Sequence, residues 1–167
     1  MLYDDCRTKI LVYDAITSFR EQTPGPDTPQ RLRNNRLTDL LRMVEDNAEK
    51  AKNLAGDDAT NYVVFSLFKG QALNRRDHPA IALEELRQAL PRVDKVNRRH
   101  QADFYYNTAS YECRVGDLDN SLKHLERAIY LTDDYKVKAR PDPDFENLRN
   151  DERLKERFIR LTDDVIA

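Results

Sequence analysis

Apolar residues recur along most of this chain at spacings of three and four, the rhythm that gathers them on one face of an α-helix. Leu37, Leu41, Val44, Ala48, Ala51 and Ala55 keep it, flanked by Leu40, Met43 and Leu54, and Gly56 supplies the stop. The pattern predicts one long helix, roughly 40 Å at about 1.5 Å per residue, whose stripe must be buried. Upstream, Ile10, Leu11, Val12, Tyr13, Ile16 and Phe19 belong to a first helix ending near Gln22. Pro24, Gly25, Pro26 and Pro29 break the chain before the second begins near Pro29. The two arms make an N-terminal helical hairpin over residues 1–56.

The run Tyr62-Val63-Val64-Phe65-Ser66-Leu67-Phe68 is β-branched and aromatic enough to be a buried strand on propensity alone. The next segment of the chain decides for helix. Pro79 suits a first helical turn, and Ile81, Ala82, Leu83, Leu86, Ala89 and Leu90 continue with helical periodicity. Pro91 kinks or restarts that helix. Ala102 to Val115 and Leu118 to Leu131 are two further amphipathic stretches, separated by Gly116-Asp117 as a tight turn. The order is helix, short turn, helix, repeated, which predicts an all-α fold.

An internal repeat underlies this order. Ser66, Gly70, Ala82, Leu86 and Ala89 recur as Tyr105, Ala109, Ser121, Leu125 and Ala128, each pair 39 positions apart, as from Gly70 to Ala109. Gly70 with Ala109, and Ala82 with Ser121, stand where two antiparallel helices approach closely, since a large side chain there pushes the backbones apart.

The segment Tyr105-x2-Thr108-Ala109-x2-Glu112, then Gly116-Asp117, then Ser121-x3-Leu125-x2-Ala128, resembles a tetratricopeptide repeat. Thr108 stands for the usual Leu, Tyr111 supplies one place early the aromatic that Glu112 replaces, and Asp133 takes the place of a common closing Pro. The earlier copy, Ser66-x2-Lys69-Gly70-x2-Leu73 with Ala82-x3-Leu86-x2-Ala89, departs from the pattern at Ser66 and Lys69. The offset exceeds the roughly 34 residues of that family, and the excess falls around Pro91 to Gln101, as an extended second helix or a longer loop. Asp142 to Leu154 looks like the segment that follows the last repeat in many bacterial members. There it caps the stack, and Phe145, Leu148, Leu154, Phe158, Leu161 and Val165 have the apolar spacing for that role. Across Asp58 to Phe158 the resemblance implies two repeat hairpins over residues 57–135 and a capping segment over 136–167, stacked as a short right-handed solenoid.

At 167 residues the chain is long enough for one domain or a short array. Lys plus Arg number 28 against 30 Asp plus Glu, so no global field recruits nucleic acid or an anionic membrane. Cys6 and Cys113 lie far apart and outside any CxxC spacing, which excludes a disulfide framework and a zinc cluster and predicts two reduced thiols. Asp4 and Asp5 stand where a secretory signal is basic and then apolar, and no long apolar run spans a bilayer. The expected location is cytoplasmic.

Catalytic chemistry finds few candidates. His78 precedes Pro79 in a turn, His100 lies at a helix start and His124 faces outward beside Leu125; none has a second ligand at metal-like spacing. Cys113 and His124 face each other across one hairpin, but without a third orienting group. The four glycines are scattered, so no phosphate loop exists. The expectation is a non-enzymatic protein with no catalytic residue, cofactor or metal. Arg75-Arg76, Arg92, Lys95 and Arg98-Arg99 make the middle of the chain mildly basic, and Tyr105, Tyr106 and Tyr111 offer stacking faces to RNA.

A binding face is better marked. Helical spacing puts Asp103, Tyr106, Asn107, Ser110 and Arg114 on the side of one helix opposite its packing side, and Val64, Leu67, Phe68, Gln71 and Arg75 on the matching side of the earlier copy. The resemblance implies that this side lines a concave groove, with Asn107 where the family often hydrogen-bonds a ligand's backbone. Chaperone-binding members carry Lys and Asn where this chain has Leu67 and Gln71, which speaks against capture of a C-terminal carboxylate. The apolar end has two candidate occupants: a partner's apolar anchor, or the chain's own first helix. The leading expectation is an adaptor or scaffold binding a protein or peptide partner in that groove. Two alternatives are a homo-oligomeric scaffold pairing through the Leu37 to Ala55 stripe and an RNA-binding helical-repeat module, with nucleic acid the less favoured partner.

Overall fold

A computed structural model describes residues 30–163, the side chains of residues 30–37 and Leu40 aside. The first helix with Ile10 to Phe19, the break at Pro24 to Pro29, Cys6 and Val165 fall outside the described residues. Within them every regular element is helical: α1 (Gln30–Ala55), α2 (Ala59–Arg75), α3 (Pro79–Ala89), a 3₁₀ turn (Leu90–Lys95), α4 (Arg98–Val115), α5 (Leu118–Leu131), α6 (Asp134–Ala139), a second 3₁₀ turn (Pro143–Phe145), α7 (Glu146–Asn150) and α8 (Lys155–Thr162). Tyr62 to Phe68 lies inside α2. Its strand propensity yields to tertiary burial, with Val63, Phe65, Ser66 and Leu67 all buried.

The 39-position frame holds at the level of backbone. Ala59 and Arg98 open α2 and α4, and Pro79 and Leu118 open α3 and α5. Asp58 accepts a hydrogen bond from the Asn61 N–H (3.0 Å) and caps α2; Asn97, at the same place in the frame, accepts from the His100 N–H (2.9 Å) and caps α4. Each hairpin turns through one left-handed residue, Asp77 at φ 64° and Gly116 at φ 89°. Pro91 ends the α-helical hydrogen bonding of α3 and the chain continues as the 3₁₀ turn, so the extra length between the copies is absorbed by Leu90 to Asn97.

Small residues let the arms of each hairpin touch. A Cβ on Gly70 would lie 3.3 Å from Tyr111 Cε2 and 3.5 Å from Leu86 Cδ2. In the second hairpin Ser121 Oγ donates to the Ala109 carbonyl at 2.7 Å. Leu86, Leu125, Ala89 and Ala128 are wholly buried beside these contacts, each leucine contributing about 1.5–3 kcal/mol through burial.

Two further attachments hold the hairpins. On one side α1 lays Leu41, Ala48 and Ala51 on the molecule and covers Phe65, Val64 and Phe68 of α2. Alternating charges cross this contact: Glu85 receives Lys52 (2.7 Å) and Lys69 (2.7 Å), and both lysines also reach Glu49 (3.0 and 2.6 Å). Lys52 and Glu85 keep only 6% and 4% of their side chains exposed. On the other side, Tyr135, Phe145, Leu148, Leu154 and Phe158 seal α4 and α5 with Leu122, Leu125 and Ile129. Within the stripe from Leu37 to Ala55, the side chains of Leu41, Ala48 and Ala51 are buried inside the same chain.

Candidate functional site

The inward side of α4 and that of α2 face one hollow of about 880 Å³. Helical periodicity brings Tyr106, Asn107, Ser110 and Arg114 to its α4 wall, and Gln71, Asn74 and Arg75 to its α2 wall. The third wall is the segment after α6. Asp142 Oδ1 accepts the Asp144 N–H (3.0 Å), and Pro143 starts the 3₁₀ turn, a local bond and a fixed φ that aim both carboxylates inward.

Those carboxylates meet a matched set of donors. Tyr106 OH donates to Asp142 Oδ2 at 2.6 Å; Ser110 Oγ and Asn74 Nδ2 donate to Asp144 Oδ2 at 2.6 and 2.8 Å. Arg114 Nη1 donates to the Asn74 carbonyl (2.8 Å) and to Asn74 Oδ1 (2.7 Å), its Nη2 to Asp77 Oδ1 (2.5 Å), and its Nε lies 3.7 Å from Asp144 Oδ1. Burial first, and then the Asp142 carboxylate, hold the Tyr106 hydroxyl well above the ordinary tyrosine range. Burial, with the nearby Asp144 charge second, does the same to Tyr111.

Of the residues expected at the groove, Asn107, Tyr106, Ser110, Arg114, Gln71 and Arg75 line the hollow. Asn107 gives one N–H to the Asp103 carbonyl (2.7 Å), while its oxygen has only long contacts, 3.4 Å each, with Gln71 Nε2 and Tyr111 OH. Its amide and that of Gln71 therefore form the loosely held, open part of the wall. Tyr106 is buried, and its hydroxyl is committed to Asp142.

Four expected positions lie elsewhere. Leu67 is buried in the core between α2 and α3 with Val63, Leu83 and Leu86. Val64 and Phe68 pack beside Phe65 beneath Ala51 of α1. Among the described residues, α1 packs over Val64 and α3 over Leu67; the expected first-helix occupant lies outside them. Asp103 turns toward α6, where it accepts from Tyr135 OH and lies 3.6 Å from Arg99. Asn74, Tyr111, Asp142 and Asp144 join the site without any sign of it in the sequence pattern. The Asp142-Pro143-Asp144-Phe145 run carries a signal for capping, but nothing local links it to Asn74, 70 positions away.

Reactive groups are masked. Burial pushes the Cys113 thiol up, and His124 Nδ1 lies 2.7 Å from Glu112 Oε2, so the cross-hairpin partner of His124 is Glu112. No cluster of His, Cys, Asp or Glu able to hold a metal ion occurs among the described residues, and no described helix is long and apolar enough to cross a membrane. The expected basic stretch is largely engaged: Arg76 pairs with Glu45 (2.6 Å), Arg99 with Asp134 (2.9 Å), and Arg92 lies 4.0 Å above the Tyr62 ring centre. What the hollow offers chemically is reversible hydrogen bonding from amides and guanidinium groups in fixed positions. No family model matches the chain, and no curated protein or solved structure matches it.

Proposed function

We propose that this chain is a non-enzymatic adaptor built as a tetratricopeptide-like right-handed solenoid, which holds an extended segment of a protein partner in the hollow between α2 and α4. The observation that carries the reading is the open amide pair Gln71 and Asn107 in a hollow of about 880 Å³. An extended peptide exposes alternating N–H and C=O groups, and a side-chain amide supplies both complements. The matching starts of α2 and α4 and of α3 and α5 support the repeat architecture.

The partner reads as polar in its central residues, because Val64 and Leu67 are packed within the chain and the hollow is lined by amides, hydroxyls and charges. A phage-displayed library of linear dodecapeptides tests the reading. Enriched peptides should bind the full chain and lose about tenfold affinity, some 1.4 kcal/mol, when Gln71→Ala and Asn107→Ala are combined. No enrichment, or enriched peptides indifferent to both substitutions, would overturn it.

A further inference from the structure

A second surface, sharing no residue with the hollow, lies on α5 and the start of α4. Tyr130 is 72% exposed, and the guanidinium carbons of Arg127 and Arg98 lie 5.6 and 6.0 Å from its ring centre. Arg127 is also 5.9 Å from the Tyr105 ring, which stacks on His124 with centroids 5.8 Å apart and planes inclined by 19°. The residues form a ladder in the order His124, Tyr105, Arg127, Tyr130, Arg98. Three-residue spacing puts His124, Arg127 and Tyr130 on one stripe of α5. Arg98 is fixed from the other helix, since its Nε and Nη2 donate to the carbonyls of Leu131 (2.7 Å) and Tyr130 (2.9 Å) at the C-terminal end of α5.

The nearby carboxylates are committed elsewhere. Glu126 pairs with Arg157 (3.1 Å), Asp134 with Arg99 (2.9 Å) and Glu112 with His124 (2.7 Å). Arg98 and Arg127 make no ion pair among the described residues, so two cations stand uncompensated around an open aromatic ring. An acidic peptide would use the cations and leave the ring idle. A nucleotide strand uses both, with bases on the π-faces and phosphates on the guanidinium groups.

We propose that the Tyr105–Arg127–Tyr130–Arg98 ladder binds single-stranded nucleic acid, stacking a base on the exposed Tyr130 and neutralising phosphates with Arg98 and Arg127. Two phosphate contacts on a chain of net charge −2 give weak, local, salt-sensitive binding. Fluorescence anisotropy of the full chain with labelled decamers of uridylate and of thymidylate, and with a labelled Asp/Glu decapeptide, tests it. Between about 50 and 200 mM salt the log–log slope for an oligonucleotide should be about −1.4, and about −0.7 in Arg127→Gln. Tyr130→Ala should weaken binding about tenfold. Preference for uridylate assigns RNA, and equal binding assigns single strands generally. Tyr130→Leu, which keeps an apolar side chain without a π-face, gives the same readout should the alanine variant lose helical circular dichroism. The proposal fails if neither oligonucleotide binds at the lowest salt, if binding ignores both the tyrosine and the arginine substitutions, or if the acidic peptide binds as tightly.

Discussion

The hairpins α2–α3 and α4–α5 repeat one frame, yet they are tied to the rest of the molecule by opposite chemistries. Glu85 and His124 occupy equivalent places, 39 positions apart. In the first hairpin that place holds the buried centre of a partly exposed ring of alternating charges reaching into α1. In the second it holds a half-buried imidazole against Glu112, and the attachment is made by stacked aromatics, Tyr106 on Tyr135 at 4.3 Å with Phe145 edge-on at 5.5 Å. Apolar burial stabilises without demanding one arrangement. Desolvated charges return little net stability and penalise every arrangement but one. The aromatic cap therefore supplies stability, and the charge ring fixes how α1 lies.

The largest effect expected from breaking this contrast comes from Phe145→Ala. Phe145 is wholly buried, and its loss should cost about 3–5 kcal/mol in urea unfolding while leaving the α1 contact in place. Glu85→Leu should cost less, about 2 kcal/mol, because Glu49 still faces both lysines; orphaned buried charges cost roughly 3–5 kcal/mol. Adding Lys52→Met should recover part of that loss, a coupling that a double-mutant cycle measures and simple additivity would contradict.

The two left-handed turns provide a smaller pair of tests. Gly116→Ala adds a Cβ with nothing within 4 Å, so its cost is conformational, about 1 kcal/mol. Asp77→Gly should be stabilising by about 0.5 kcal/mol: it relieves φ 64° and gives up an ion pair whose carboxylate is 86% exposed. Thermal unfolding should move in opposite directions for the two variants. The finest effect is in titration. Hydrogen bonding from Lys69, opposed by partial burial and supported by Lys52, lowers the Glu49 carboxyl below its ordinary 4.5. A depressed carboxyl stabilises the fold fully above 4.5 and loses that contribution as pH falls through the folded value. Carbon-detected NMR should place the Glu49 midpoint below 4.5, returning toward it in Lys69→Met.

How much of the molecule is legible in its sequence depends on how local each signal is. Gly116, Pro79 and the apolar stripes act within a turn or two, and they mark element ends and faces directly. Tyr62 to Phe68 misleads by propensity and becomes readable only from the helical segment that follows it. The charge ring is invisible for a different reason: Glu49 and Lys52 look like a surface pair three positions apart, and Glu85 gives no sign that α1 will cover it. Six of the ten expected groove residues do line the hollow, because helical phase alone decides which side of α2 and α4 they occupy. Val64 and Leu67 misread the site since phase cannot say which neighbour arrives first: α1 covers Val64 and α3 covers Leu67. Asp142 and Asp144 depend on contacts with α2 and α4 that no local pattern encodes.

Arg114 joins the turn at Asn74 and Asp77 to the Asp144 carboxylate through a single side chain. Asp144 also keeps Ser110 and Asn74 at 2.6 and 2.8 Å, so truncating Arg114 alone should disturb the Asn74–Asp77 corner first and leave the C-terminal segment anchored.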